Sequence, residues 1–249
     1  MRLFLCDQKK EIVIKASKYL RKWGLENINL SSCPIKEKTN LAPDFAANRI
    51  ISPESQQLNA HPLPVEIQFE EKRLRECGCG KGAVYDGYRY AELAGSSLPK
   101  KLDYQVEKPV FITLDYIATF PEAEGRYHLR YAVFSFPVVV SLVGIIEAPA
   151  RPREYYLSQT WGASLPQGLE KNFLTDLDDA RLPRVLAGLL LQAWFYYKDG
   201  YPFCSDPKCA LFNAHWQKDL LRSQSDEPYI LCPKHAAELS LEPASNNSE

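Results

Sequence analysis

The sequence predicts a mixed α/β fold, and three observations carry that expectation. The chain opens on a strand–helix–strand pattern between Leu3 and Leu30, and three runs rich in β-branched and aromatic residues follow one another between Val110 and Ile146. From Val185 to Tyr197 nearly every position is apolar or aromatic, as in a helix buried on most sides. At 249 residues, 45% hydrophobic and 24% charged, the chain has the composition of an ordinary folded protein with material for a full core.

Each element has a local reason. Leu3 to Leu5 predicts a strand; Ile12, Ala16, Tyr19 and Trp23 recur at helical spacing, Gly24 supplies a stop, and Ile28 with Leu30 begins a second strand. Such a unit runs its strands parallel through a right-handed crossover. Asp44 to Ile51 suits a short helix, and Val65, Ile67 and Phe69 alternate as in a strand. Residues 70–108, charged and rich in Gly and Lys, read as an insertion or surface excursion, with Tyr85-Asp86-Gly87-Tyr88-Arg89 as a turn. Val110 to Tyr116, Tyr127 to Phe136 and Val138 to Ile146 predict three successive strands. Asp178 or Asp179 is placed to cap the helix that passes through Pro183 and ends at Gly200 and Pro202, and Cys232-Pro233 opens a last helix to about Leu241. The expected organisation is therefore an α/β domain over 1–200, a metal-bearing segment over 201–241 and a disordered tail over 242–249.

Thirty basic residues against 31 acidic ones leave a net charge of −1, so no overall field draws the chain to nucleic acid or an anionic membrane. The most apolar stretches, Tyr131 to Ile146 and Val185 to Tyr197, fall short of the roughly 20 residues that span a bilayer. No signal-like segment precedes Leu3, and seven cysteines, an odd number, argue against a secreted disulfide framework; the expected compartment is the cytoplasm.

Cys204, Cys209, Cys232 and His235 are spaced as C-x4-C, 22 residues, then C-x2-H. Three sulfurs and one imidazole brought together by a loop form a tetrahedral shell closed to substrate, which suits one structural zinc ion. The bland alternative is a set of buried thiols acting as small apolar side chains, and His215 is a rival fourth ligand. Cys77-Gly78-Cys79-Gly80 offers either two ligands of a second site or a flexible turn.

A buried helix running into a glycine, then C-x4-C and a late C-x2-H, resembles the archaemetzincins, whose signature is HExxHxxGxxxC followed by x4-C-x-M and a distant C-x-x-C. In that register the family's glycine falls on Gly200, its second cysteine on Cys209, its methionine on Leu211 and its last pair on Cys232 and His235, a match over roughly residues 109–240. Glu147 to Tyr156 and Phe203 to Gln217 also look like segments of uncharacterised metallopeptidase relatives of that family. The resemblance implies a zincin-like single domain with a C-terminal zinc knuckle. It does not bring the cutting centre. The two zinc-binding histidines of HExxH fall on Ala193 and Tyr197, the glutamate on Trp194 and the third histidine on Phe203. The histidines are His61, His128, His215 and His235, no two of them four apart, and no glutamate lies between Lys171 and Asp226. A metzincin needs paired imidazoles to hold an open zinc and a carboxylate to take a proton from its water. The resemblance with these departures implies no catalytic residues, and a relative that recognises a peptide or small anion in the former cleft.

For that ligand the candidates are Glu147, Arg151, Arg153, Glu154 and Tyr155, since two arginines held apart by Pro152 can clamp a carboxylate or phosphate; the bland reading is a solvated loop. Two other classes stay open. One is a hydrolase with a displaced site drawn from His128, Glu147, Glu154 and Tyr155; the other is a nucleic-acid module using Lys208, His215, Trp216, Lys218 and Arg222.

Overall fold

A computed structural model of the chain describes residues 1–5, 7–76, 83–104, 106–224 and 231–240. Cys6, the Cys77 and Cys79 pair and the tail 242–249 lie outside the described residues. In chain order the elements are β1 (Arg2–Leu5), α1 (Lys10–Lys22), β2 (Asn29–Ser32), α2 (Ala42–Ala47), α3 (Pro64–Glu76), β3 (Val84–Asp86), α4 (Gly87–Ser96), β4 (Pro109–Thr113), β5 (Tyr116–Thr119) and β6 (His128–Arg130). They continue as β7 (Ala132–Val133), β8 (Val138–Ser141), α5 (Leu142–Glu147), α6 (Arg153–Trp161), α7 (Leu182–Asp199), α8 (Gln217–Gln224) and α9 (Pro233–Ser240). The chain is a mixed α/β protein. No helix among the described residues is long and apolar enough to cross a membrane.

The main sheet has the order β2-β1-β4-β8-β7, parallel except for β7 at its edge. Its pleat sorts the side chains with a period of two. Leu3, Leu5, Val110, Ile112, Val138 and Val140 join one core with α1 and α7, whereas Phe4, Phe111 and Val139 join the other with α2, α3 and α4. Both faces are covered, which is why these strands read as continuous hydrophobic runs. Helix α7 is buried without a break from Leu182 to Phe195 and ends at Gly200, whose φ of 75° places it in the left-handed region that a helix stop requires. A second sheet, β3-β5-β6, pairs β3 with β5 in parallel and β5 with β6 antiparallel.

Four expectations are corrected. Val65, Ile67 and Phe69 lie on helix α3: with Ile67 and Leu74 inward and Glu70 and Arg73 buried as an ionic pair, the inward face has helical rather than strand period. Within 70–108, the described part that carries Tyr85, Tyr90, Ala91 and Ala94 is no surface excursion, because these residues are buried in the second core. Asp86 is a helix cap, its carboxylate accepting the Arg89 N–H at 3.0 Å at the start of α4, rather than part of a surface turn. The run Val138 to Ile146 changes from strand to helix at Ser141, whose hydroxyl accepts the Gly144 N–H at 2.9 Å and donates to the Asp115 carbonyl at 2.6 Å.

The start of α7 also departs from expectation. Neither Asp178 nor Asp179 caps it; Arg181 stands at the cap, and Asp179 instead grips the Arg181 guanidinium at 2.8 Å. Arg181 in turn donates to the carbonyls of Lys171 and Phe173, at 2.9 and 2.6 Å.

Two outcomes follow from these contacts. Any Cβ at position 144 would fall on the Arg130 carbonyl oxygen, so Gly144→Ala is expected to lower stability by about 1–3 kcal/mol, read as a lower urea midpoint. Burial opposes the charge on Asp179, but hydrogen bonds from Arg181 and Thr175 outweigh it and hold the carboxyl at about 2 rather than 3.8. Its contribution is thus complete above the unfolded value of 3.8 and is lost as pH falls towards 2; Asp179→Asn should flatten that part of the stability profile measured by urea unfolding.

Candidate metal centre

The four soft donors do converge. The ligand atoms of Cys204, Cys209, Cys232 and His235 all lie within 4.8 Å of one another, the only such group of three or more metal-ligating side chains among the described residues. Cys204 Sγ and Cys232 Sγ are 3.9 Å apart, and His235 Nδ1 lies 3.6 Å from Cys209 Sγ and 3.0 Å from Cys232 Sγ. A tetrahedral zinc with bonds of about 2.3 Å to sulfur and 2.0 Å to nitrogen would set S···S near 3.8 Å and S···N near 3.5 Å. Donor type, number and spacing therefore fit one zinc ion held wholly by protein.

Local structure explains the placement. After Gly200 ends α7, Pro202 and Phe203 lead to Cys204, whose N–H donates to the Leu211 carbonyl at 2.8 Å while the Phe212 N–H donates back to the Cys209 carbonyl at 2.9 Å. This tight loop turns both thiols the same way, and the Asp206 N–H points at Cys204 Sγ from 3.4 Å, a contact that favours thiolate. Pro233, at the first position of α9, leaves Cys232 at the helix start and His235 one turn on. The two ends are tied by Lys198, which donates from the end of α7 to the Glu238 carbonyl at 2.7 Å.

Burial disfavours the charged form of three of these groups: it raises Cys204, pushes Cys209 up to about 12 and lowers His235, which without an ion sets those two thiols towards the protonated form and the imidazole towards the neutral one. A divalent cation reverses that preference by supplying the missing positive charge, and its binding displaces the thiol protons.

Three of the other candidates, Glu147, Arg151 and Tyr155, come together. Arg151 is buried and donates to the Tyr155 hydroxyl, to the Ile146 carbonyl at 3.2 Å and to Glu147 Oε1 at 3.1 Å, with its guanidinium 4.4 Å from the centre of the Tyr155 ring. Arg153 and Glu154 are exposed on the first turn of α6. Both Nη atoms of Arg151 are thus committed within its own segment, while its buried Nε has no hydrogen-bond partner. His128 pairs with Glu124 at 2.7 Å on the second sheet, and His215 is exposed, outside the cysteine cluster. Trp194 and Phe195 pack edge to face at 4.8 Å, as core aromatics do.

One polar cluster was not anticipated from sequence. Arg73, 6% exposed, donates to Glu70 Oε2 at 2.5 Å and to Asp115 Oδ2 at 2.6 Å; Arg49 and the Tyr85 hydroxyl reach Glu70 Oε1, both at 2.8 Å, and the Tyr90 hydroxyl reaches Asp115 Oδ2 at 2.8 Å. Burial and the neighbouring carboxylates raise both phenols well above their usual range, so they act as neutral donors. The one sequence signal was Glu70 three residues before Arg73, visible only if the segment is read as a helix.

The sequence profile of a probable metallopeptidase family (DUF6775) matches residues 10–242. A crystal structure of a zinc-dependent peptidase from Methanocorpusculum labreanum (strain Z) is similar over 96% of this chain and 98% of its own, with 12% identity and a TM-score of 0.45. No curated protein matches. A match running through all but the first nine and last seven residues leaves one conclusion: the chain belongs to the probable metallopeptidase family DUF6775.

Proposed function

We propose that this chain is a non-hydrolytic member of its family, zincin-like in architecture and related to the archaemetzincins, in which a structural zinc on Cys204, Cys209, Cys232 and His235 braces the segment after α7 and the protein acts by recognition. The observation that carries the reading is what occupies α7 where a metzincin keeps its catalytic groups. Ala193 is fully buried, and Trp194 is buried beneath Lys198, whose Nζ lies 4.9 Å from the ring centre. The Tyr197 hydroxyl donates to the Pro109 carbonyl at 2.5 Å and accepts the Val138 N–H at 2.9 Å, which fixes the side chain to the sheet. Phe203 packs edge to face on Phe134 at 5.3 Å. None of the four is a zinc donor or stands ready to take a proton from water.

A closed four-protein-ligand shell supports the structural role, because catalytic zinc keeps one position for water or substrate. Zinc on three thiolates also requires reduced cysteines, which favours a cytoplasmic setting. When bound, the ion would contribute on the order of 10 kcal/mol to folding of its module.

The test is metal analysis joined to a turnover assay. Protein purified without added zinc is expected to carry about one zinc per chain, and Cys204→Ser to lose the metal together with ordered structure in α9. Peptide substrates should be cleaved no faster than by Cys209→Ala. A zinc-dependent rate above that control would overturn the non-hydrolytic reading, and retention of zinc by Cys204→Ser would remove that residue from the ligand set.

A further inference from the structure

The parallel strands of the main sheet leave a crevice at their carboxyl ends. From β1 the chain crosses to β2 through α1 on one face, and from β2 it reaches β4, on the other side of β1, through α2, α3 and α4 on the opposite face. The gap between β1 and β4 is therefore a topological switch point, the place where open α/β sheets receive ligands. A small pocket open to solvent lies beside it, between the end of β4 and the turn after β2. Its polar lining comes from Lys36, Arg73, Tyr90, Thr113 and Asp115, and its apolar lining includes Leu114.

The charged lining is not fully satisfied from within. Arg73 commits Nε to Glu70 and Nη1 to Asp115, but its buried Nη2 has no hydrogen-bond partner. A buried donor left without an acceptor costs about 1–3 kcal/mol, more when charged, so the position favours an acceptor that arrives from outside. Lys36, half-buried on the turn after β2, has no ion-pair partner among the described residues. Lys36, Arg73 and Asp115 together leave the lining one positive charge in excess. Asp115 Oδ2 already accepts from Arg73, Tyr90 and Thr113, which leaves the two cations as the attracting groups.

We propose that this pocket is a carboxylate-binding site, in which Lys36 Nζ and the Arg73 guanidinium, once its enclosed Nη2 turns into the pocket, hold the two oxygens of a small organic monoacid or of a peptide's free C-terminus while the carbon next to the carboxylate rests on Leu114. A monoanion balances the single excess charge, whereas a phosphate dianion would add a second negative charge beside Asp115 and Glu70. The site deepens the recognition reading by naming a ligand class. It shares no residue with the zinc cluster, so appearance of peptidase turnover would sink that reading and leave carboxylate binding standing.

The experiment is an NMR titration of the zinc-loaded chain, following the backbone amides of Thr113, Leu114 and Asp115. Butyrate, or a tetrapeptide with a free C-terminus, is expected to shift these signals saturably, and which of the two binds identifies the source. The C-terminally amidated tetrapeptide should leave them in place. Lys36→Gln, at a half-exposed position with no partner to strand, is expected to fold normally and to weaken binding about tenfold, the size of one charge-assisted hydrogen bond. Saturable shifts with inorganic phosphate alone, equal response to the amidated peptide, or unchanged affinity in Lys36→Gln would each overturn the assignment. So would the absence of any saturable shift.

Discussion

The guanidinium of Arg73 is the constraint around which the second half of the molecule is arranged. A buried cation of this kind persists only with compensating charge, and removing one partner costs about 3–5 kcal/mol. Its partners come from separate parts of the chain: Glu70 from the same helix, and Asp115 from the end of β4. Tyr85 and Tyr90, from β3 and α4, complete the carboxylates' coordination. The rings of Phe45 and Tyr85 lie 5.1 Å from the guanidinium carbon, so α2 is drawn in as well. Two arginines and two carboxylates balance within the cluster, and the neutral phenols add donors without adding charge.

This network ties together two sheets that share no ladder. Asp115 sits in the short turn between β4 of the main sheet and β5 of the second, and its backbone carbonyl accepts from Ser141, which starts α5. Through one residue the order of the sheet, the cap of a helix and the position of α3 are coupled. On the opposite face the bonding is of another kind: α1 and α7 are held by apolar burial, and the polar groups of α7's interior are few. The protein thus has a dry core on one side of its sheet and an ionic one on the other.

The dry half was legible in the sequence and the ionic half was not, for a physical reason. Leu3 to Leu5, Val110 to Ile112 and the run of α7 announce themselves by hydrophobicity, and β-branched residues or 3.6-residue spacing then decide strand or helix. Residues 64–76 carry Val65, Ile67 and Phe69 at alternate positions, which mimics a strand; yet Leu63, Val65 and Phe69 are exposed, and the buried face is built from Glu70, Arg73 and Leu74. A periodicity argument assigns charges to solvent and so selects the wrong face. The metal cluster escaped this problem because thiols and imidazole carry chemistry in their spacing, so C-x4-C and C-x2-H could be joined across 22 residues without knowledge of the path between them. Spacing alone likewise does not reveal that Arg151 has acceptors in its own loop.

One feature of the cluster reaches beyond coordination. The His235 ring stands edge to face with Phe195 at 5.1 Å, so the imidazole that would ligate an ion is also packed against the main core. A cysteine there would keep four donors and yet leave a gap beside Phe195 where a ring had been. The identity of the fourth ligand is therefore set by shape as much as by affinity. The metal-ligating cluster and the apolar interior share a wall, and neither can be remodelled without the other.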